Sequence, residues 1–233
     1  MRVVKLGGSV LGGSSAGPAI DAARIARLWA ELEPWAAEIV LVHGAGRYPR
    51  SVLERADAAA AERTSRLRDA LAEVHAELAR ALERSGAAPR ALPPGLQRES
   101  AAVGEALAGR RLPLGRGDVL DAPGGNPTIV SSDRVAEQLA RDLGAAEVLW
   151  ITDVDGVLDV RGRLLERVGA GSLDAIDRRH ADEADPTAGM SGKLAAALRL
   201  AAAGIPSRIV NGLVPGRVAA ALGGGPWVGT RVG

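Results

Sequence analysis

The sequence has no cysteine and no phenylalanine, one tyrosine and three histidines in 233 residues. Without cysteine, disulfides and thiolate-held metals are excluded. His43, His75 and His180 share no metal-ligand spacing. Without phenylalanine the core must be mainly aliphatic. No apolar run reaches the roughly 18 residues of a membrane span, so no membrane partner is expected. The chain opens on a strand-like run, not on a charged segment followed by an apolar one, so no signal peptide is expected and the cytoplasm is the default location. A net charge of +1 gives no case for general nucleic-acid binding. Lysine is the most informative scarcity: of 29 Lys plus Arg, only Lys5 and Lys193 are lysines. In an Ala-, Gly- and Arg-rich chain, lysines kept against a drift to arginine mark sites where a compact ammonium fits and a wide guanidinium does not.

What is present is a chain of 47% apolar and 24% charged residues, enough for one large core or two lobes. Val3, Val4 and Leu6 form a buried strand that breaks into Gly7-Gly8-Ser9. Glycines there let the backbone approach a ligand and point N–H groups at an anion, with Lys5 just before them. The same segment also reads as a plain strand and turn. A helix is expected from Pro18 to Trp35, and a second buried strand over Glu38–His43, ending in Gly44-Ala45-Gly46. Strand, helix and strand, with glycine turns after the strands, imply a parallel sheet with its loops at one edge.

Residues 50–84 read as helical. Leu67, Leu71, Val74, Leu78 and Leu82 recur at steps of four, three, four and four, a stripe that packs on the sheet and also suits a dimer seam. Further on, a short strand is expected near Arg90–Leu92, a helix near Glu99–Leu107, a bent strand over Leu112–Leu120, a turn at 122–127 and a strand at Thr128–Val130. Ser131-Ser132-Asp133 suits the start of a helix to Leu143. Val148–Thr152 is a buried strand, followed by Asp153-Val154-Asp155-Gly156 and a small hairpin around Arg161-Gly162. A helix is expected over Leu173–Ala181, a long one to Ala203 opened by Asp185–Lys193, a strand at Ser207–Val210, a short helix at Pro215–Leu222 and an edge strand at Trp227–Thr230. The class is α/β throughout.

The candidate site is carried by Gly7–Ser9, Gly44–Gly46, Thr152–Gly156 and Pro186–Lys193. Glycine-rich approaches to helix N-termini bind phosphate, and phosphoryl transfer needs positioning and positive charge more than covalent chemistry. Two lysines plus backbone amides meet that need. Asp133, at a helix start, is placed to organise them. Asp153 and Asp155 suit a ribose or support of Mg²⁺, or an ordinary polar turn. His43 reads more readily as a packed, hydrogen-bonded strand end than as a catalytic group.

Taken in order, Val4-Lys-Leu-Gly-Gly-Ser9, Val42-His-Gly-Ala-Gly46, Ser131-Ser-Asp133, Thr152-Asp-Val-Asp-Gly156 and Thr187-Ala-Gly-Met-Ser-Gly-Lys193 resemble the amino acid kinase superfamily. Within it, Val210-Asn-Gly-Leu-Val-Pro-Gly-Arg217 and Gly117-Asp-Val119 look most like isopentenyl phosphate kinases, while Ser131–Val135 and Ala188-Gly-Met190 are also similar to fosfomycin kinase. The resemblance implies an open αβα sandwich with a central, mostly parallel sheet, one domain over residues 1–233, with 1–130 mainly the acceptor lobe and 131–233 mainly the nucleotide lobe. It implies ATP and Mg²⁺, with the nucleotide phosphates over Gly7, Gly8 and Ser9 and the helix start at Gly189 and Met190. Lys5 and Lys193 would bridge the transferred group and Asp133 would orient them. Thr152, Asp153, Asp155 and Gly156 would line the nucleoside pocket. Gly44, Ala45 and Gly46, with Ser131 and Ser132 nearby, would hold a small acceptor's phosphate or phosphonate. Homodimers are usual in the family. One departure stands out. His43-Gly-Ala-Gly-Arg-Tyr-Pro-Arg50 carries Arg50 where isopentenyl phosphate kinases and fosfomycin kinase carry a histidine, which makes Arg50 an expected acceptor contact. It also admits another acceptor, such as the aminomethylfuran phosphate of methanofuran-pathway kinases. A nucleotide-binding sensor without turnover is the reading from another class. A dinucleotide oxidoreductase is disfavoured, because Lys5–Ser9 lacks the Gly-x-Gly-x-x-Gly spacing.

Overall fold

Val3, Val4 and Leu6 make β1 (Arg2–Leu6) apolar on both faces, and it takes a central place in an eight-stranded sheet. The computed structural model of the chain describes residues 1–13, 16–55, 60–93, 96–120, 128–169 and 189–233. The turn expected at 122–127, the helix expected over 173–181 and residues 185–188 of the last glycine loop lie outside them. Beside β1 on one side lie β2 (Ile39–His43), β4 (Leu112–Arg116) and β3 (Pro89–Ala91), all parallel to it. On the other side lie β7 (Glu147–Thr152) and β9 (Ser207–Asn211), also parallel. β10 (Thr230–Val232) runs antiparallel to β9, and β8 (Arg167–Val168) pairs with β10 at the edge. A separate antiparallel pair joins β5 (Asp118–Leu120) to β6 (Thr128–Val130).

Alternation along the strands sends side chains into two cores. Val4, Leu6, Leu41, Leu149 and Ile151 pack against α1 (Ala22–Leu32), α3 (Ala60–Arg84) and α7 (Arg217–Gly223). Val3, Val40, Val42, Trp150 and Ile209 face α4 (Leu96–Ala108), α5 (Ser132–Asp142) and α6 (Gly189–Ala202). The result is the expected αβα sandwich with a mostly parallel sheet. Lys5 alternates with Val4 and Leu6, so it shares the face of Val3 that α5 and α6 cover. Among the described residues no helix is long and apolar enough to cross a membrane.

Several boundaries differ from expectation for local reasons. The first helix begins at Ala22, not Pro18, because the Asp21 side chain accepts a hydrogen bond from the Arg24 N–H and caps it there. It passes into a 3-10 turn over Glu33–Glu38, with Pro34 in its first turn. The helix expected over 50–84 is two elements, α2 (Tyr48–Arg55) and α3, on either side of residues 56–59. The last strand starts at Thr230 and lies inside the sheet edge rather than on it. There the Thr230 hydroxyl accepts from the Val157 N–H at 2.8 Å and donates to the Leu165 carbonyl at 2.7 Å.

The Leu67–Leu82 stripe is fully used within the chain: all five apolar residues are buried, Leu71 most exposed at 6%. That face therefore leaves no seam for a second copy. Leu78 lies in the second half of the stripe and is completely buried. Leu78→Ala removes packing that the rigid sheet beneath cannot refill, so we expect a loss of about 2–5 kcal/mol. Urea unfolding checks this. An unchanged midpoint would mean that α3 is not a core element.

Candidate active site

Parallel strands bring their C-terminal loops to one edge. β1 ends in Gly7-Gly8-Ser9, β2 in Gly44-Ala45-Gly46 and β7 in Asp153–Gly156. Hydrogen bonds carry the ladder one residue past each strand end: Gly7 N–H donates to the Ile151 carbonyl at 2.7 Å, Gly44 N–H to the Leu6 carbonyl at 2.8 Å and Gly212 N–H to the Thr152 carbonyl at 2.7 Å. The first two loops touch backbone to backbone. A methyl group on Gly8 would lie 2.4 Å from the Gly46 nitrogen, and one on Gly44 would lie 2.6 Å from the Gly8 nitrogen. Gly46 itself has φ +68°, in the left-handed region. Only glycine fits this crossing.

Under the loops three charged groups from three elements converge. Lys5 Nζ lies 2.6 Å from Asp133 Oδ1, and Lys193 Nζ lies 3.7 Å from the same oxygen. All three are buried. Asp133 is held in the first turn of α5, whose start is capped by the Ser131 side chain accepting from the Arg134 N–H. Lys193 comes from the first turns of α6, with its ammonium 5.9 Å from the centroid of the Trp150 ring, a cation–π contact. Trp150 is the register neighbour of Lys5 on β7. Burial raises the Asp133 carboxyl, but Lys5 and then Lys193 outweigh it and hold it below the usual carboxylate range. Burial, and then Lys5, push Lys193 down to about 8, with Asp133 acting in the opposite sense.

This triad floors a cavity of about 700 Å³. Its lining includes Lys5, Gly7, Gly8, Ser9, Gly44, Ala45, Gly46, Ser132, Asp133, Thr152, Asp153, Gly156, Gly189, Met190 and Lys193. The structure thus gathers nearly all the expected site residues in one place. Two lie off the wall. Ser131 is spent as the helix cap. Asp155 turns away: its Oδ1 accepts from Asn211 Nδ2 at 2.8 Å and pairs with Arg217. The Asn211 hydrogen bond first, with Arg217, holds that carboxyl below its ordinary range. Arg50 falls in the first turn of α2, at the loop edge, and its side chain lies outside the described residues.

Other residues were not anticipated. Arg47 lines the cavity with an exposed side chain, and Leu67, Leu71 and Ile129 form an apolar wall beside it. The step-of-four pattern had marked Leu67 and Leu71, but as core. His43 is the packed, hydrogen-bonded strand end expected of it: buried, its Nδ1 2.9 Å from the Gly44 carbonyl oxygen and its Nε2 2.9 Å from His75 Nδ1. That pairing joins residues 32 apart in sequence, so no local spacing announces it.

Whether the residues suit the groups implied by the resemblance follows from charge. Two buried ammoniums face one carboxylate, leaving an excess positive charge at the foot of a glycine-lined cavity. That fits nucleotide phosphates. No group of three or more His, Asp or Glu among the described residues could cage a metal. Mg²⁺ is ordinarily held largely by substrate phosphates.

Fold and site together define a three-layer α/β protein with a buried cationic floor beneath paired glycine loops. The chain belongs to the amino acid kinase family, whose sequence model matches residues 1–211. Acetylglutamate kinase of Rubrobacter xylanophilus is 44% identical over 103 residues, 44% of this chain and 38% of that protein. Isopentenyl phosphate kinase of Methanothermobacter thermautotrophicus is 35% identical over 112 residues, 45% of this chain and 41% of that protein. The chain thus spans about two fifths of the length of these curated relatives. A crystal structure of isopentenyl phosphate kinase superposes with a TM-score of 0.79 at 24% identity, covering 99% of both chains, a likeness of fold.

Asp133→Asn would leave two buried ammoniums without their carboxylate, at an expected cost of about 3–5 kcal/mol. Lys193 then titrates lower still, because Asp133 is what raises it. Between its folded pKa and its ordinary 10.5 the unfolded chain binds more protons, so stability rises with pH across that window. The urea midpoint should fall well below the parent's at neutral pH and regain part of the gap by about pH 9.5. A gap equal at both pH values would overturn the assignment of charge.

Proposed function

We propose that the protein is an ATP-dependent kinase that transfers the γ-phosphoryl group to a small acceptor bearing a phosphate or phosphonate, with alkyl monophosphates such as isopentenyl phosphate as the acceptor class. The observation that carries this reading is the shared Asp133 oxygen between two buried lysines, opening on a cavity with a glycine loop and an apolar wall.

In this reading the γ-phosphoryl group lies over Lys5 and Lys193, whose ammoniums balance the negative charge spread over its oxygens in the transition state. Asp133 holds both lysines in position. Amides of Gly7, Gly8 and Ser9 and the α6 start at Gly189 and Met190 hold the nucleotide phosphates, with Thr152, Asp153 and Gly156 toward the nucleoside. Mg²⁺, arriving on the nucleotide, supplies further charge neutralisation. Gly44, Ala45 and Gly46 hold the acceptor's anion, with Ser132 nearby. An acceptor phosphate oxygen attacks the γ-phosphorus as the bond to the β–γ bridging oxygen breaks, and ADP leaves. A phosphate oxygen is already ionised, so the step needs no general base, and among the described cavity residues there is no histidine. Leu67, Leu71 and Ile129 suit an alkyl body, and Arg47 suits a dianion through paired hydrogen bonds. Arg50, at the same edge, is a proposed second basic contact.

On this reading residues 1–130 serve mainly the acceptor and 131–233 mainly the nucleotide. A cytoplasmic location and a homodimer go with it, the dimer using a face other than the Leu67–Leu82 stripe. The 44% identical segment of an acetylglutamate kinase favours a second reading, with an amino-acid carboxylate as acceptor.

An ADP-release screen over isopentenyl phosphate, other alkyl monophosphates, fosfomycin, UMP, acetylglutamate and amino acids separates the two. Alkyl monophosphates should lead, and turnover of acetylglutamate alone would install the second reading. Lys5→Met and Lys193→Met should each lower kcat by roughly 100-fold or more, the cost of one lost electrostatic donor of about 3 kcal/mol. Parental rates in both would refute the assignment.

Arg47 gives a separate check of the acceptor end. Arg47→Ala should raise the acceptor KM by roughly tenfold and leave the ATP KM within about twofold, as expected for binding lost at one site. An unchanged acceptor KM would remove Arg47 from the site.

A further inference from the structure

His43 and His75 lie beneath the Gly44–Gly46 loop, and the cavity wall includes neither. Their hydrogen bonds have only one consistent direction. A carbonyl oxygen only accepts, so the 2.9 Å contact to Gly44 O requires the proton on His43 Nδ1. A neutral imidazole carries one N–H, so His43 Nε2 accepts, and the donor 2.9 Å away is His75 Nδ1. Both rings are neutral: burial, then His75 and Arg116, push His43 down to about 3, and burial with Arg116 pushes His75 down to about 4. Arg116 is the register neighbour of His43 on β4. The rings stack with centroids 5.1 Å apart.

The chain ends at a peptide that matters. Gly44 is fixed at both ends, its N–H on the Leu6 carbonyl at 2.8 Å and its carbonyl on His43 at 2.9 Å. Because the peptide unit is planar and trans, the Ala45 N–H points opposite to the Gly44 carbonyl. It is thereby turned away from the His43 ring, and its loop, Gly44, Ala45 and Gly46, lines the cavity. His75 follows Leu67 and Leu71 on α3 at steps of four, so one helix carries both the apolar wall and the start of the chain.

We propose that His43 and His75 are positioning residues of the acceptor site: a two-imidazole relay of fixed tautomers, anchored on α3, that turns the Gly44–Ala45 peptide so that the Ala45 N–H faces the acceptor's anion. This rests on the reading of Gly44–Gly46 as the acceptor loop. The relay ties the helix that meets the acceptor's body to the amide that meets its charge.

Two substitutions at one position separate the role from mere packing. The Asn side-chain N–H₂ reaches about as far as Nδ1 and still donates to Gly44, whereas the Gln amide reaches the place of Nε2 and meets His75 only. With isopentenyl phosphate as acceptor, His43→Gln should raise the acceptor KM by about tenfold and leave the ATP KM within about twofold. His43→Asn, which keeps the Gly44 bond but loses the His75 anchor, should raise the acceptor KM by less, about threefold, and leave the ATP KM within about twofold. Melting both variants checks that they fold. In nitrogen-15 spectra of the unmodified protein near neutral pH, both imidazoles should be neutral and protonated at Nδ1. Turnover with equal acceptor KM values in the two variants, or His43 protonated at Nε2, overturns the relay alone. If the parent transfers phosphate to no phosphate acceptor, the acceptor reading itself has failed, and the relay's role fails with it.

Discussion

Lys5 and Lys193 share one carboxylate oxygen, and much of the architecture exists to bring them to it. Lys5 arrives from the middle of the sheet, Asp133 from the first turn of α5 and Lys193 from the first turns of α6. No two of these elements are adjacent in sequence, so the triad forms only when strands, both helices and their packing against Val3, Val42 and Trp150 are complete. The sum of charge is what gives it a use. One carboxylate cannot neutralise two ammoniums, and burial makes the excess costly until an anion arrives. A guanidinium in place of either lysine would need more room and more partners than a buried floor provides.

The side of the Gly44–Gly46 loop is organised differently. Its rigidity comes from hydrogen bonds, not ion pairs: the Gly44 peptide is held at both its N–H and its carbonyl, and neutral rings lie beneath it. The two halves of the cavity thus use opposite electrostatic strategies. One concentrates fixed charge. The other keeps ionisable groups neutral next to Arg116 and Lys5, while Arg47 brings positive charge to the cavity wall.

Much of this was legible in the sequence. Continuous β-branched runs mark β1, β2 and β7 because both faces of a parallel strand are buried, and the scarcity of lysine singled out Lys5 and Lys193. The remainder depends on direction and distance that local patterns do not carry. Thr152–Gly156 shows a ligand loop but not which aspartate faces inward. Asn211 and Arg217, some 56 and 62 residues away, decide that for Asp155. His43 and His75 meet only through the docking of α3 on β2. The segment from Gly44 to Arg50 offers two arginines, and only the start of α2 separates the one at the cavity wall from the one a turn further on. The step-of-four stripe on α3 marks core, and at Leu67 and Leu71 it is wall as well.

The backbone crossing of Gly8 with Gly44 and Gly46 admits no side chain. It welds the two glycine loops into one piece, so neither can drift without the other. Variation in the cavity wall must therefore come from elsewhere: from the side chains of α2 and α3, which contribute Arg47's neighbours and the leucine wall. A lineage can exchange those helices' side chains and inherit the floor unaltered. The same constraint tells an engineer where to leave the chain alone.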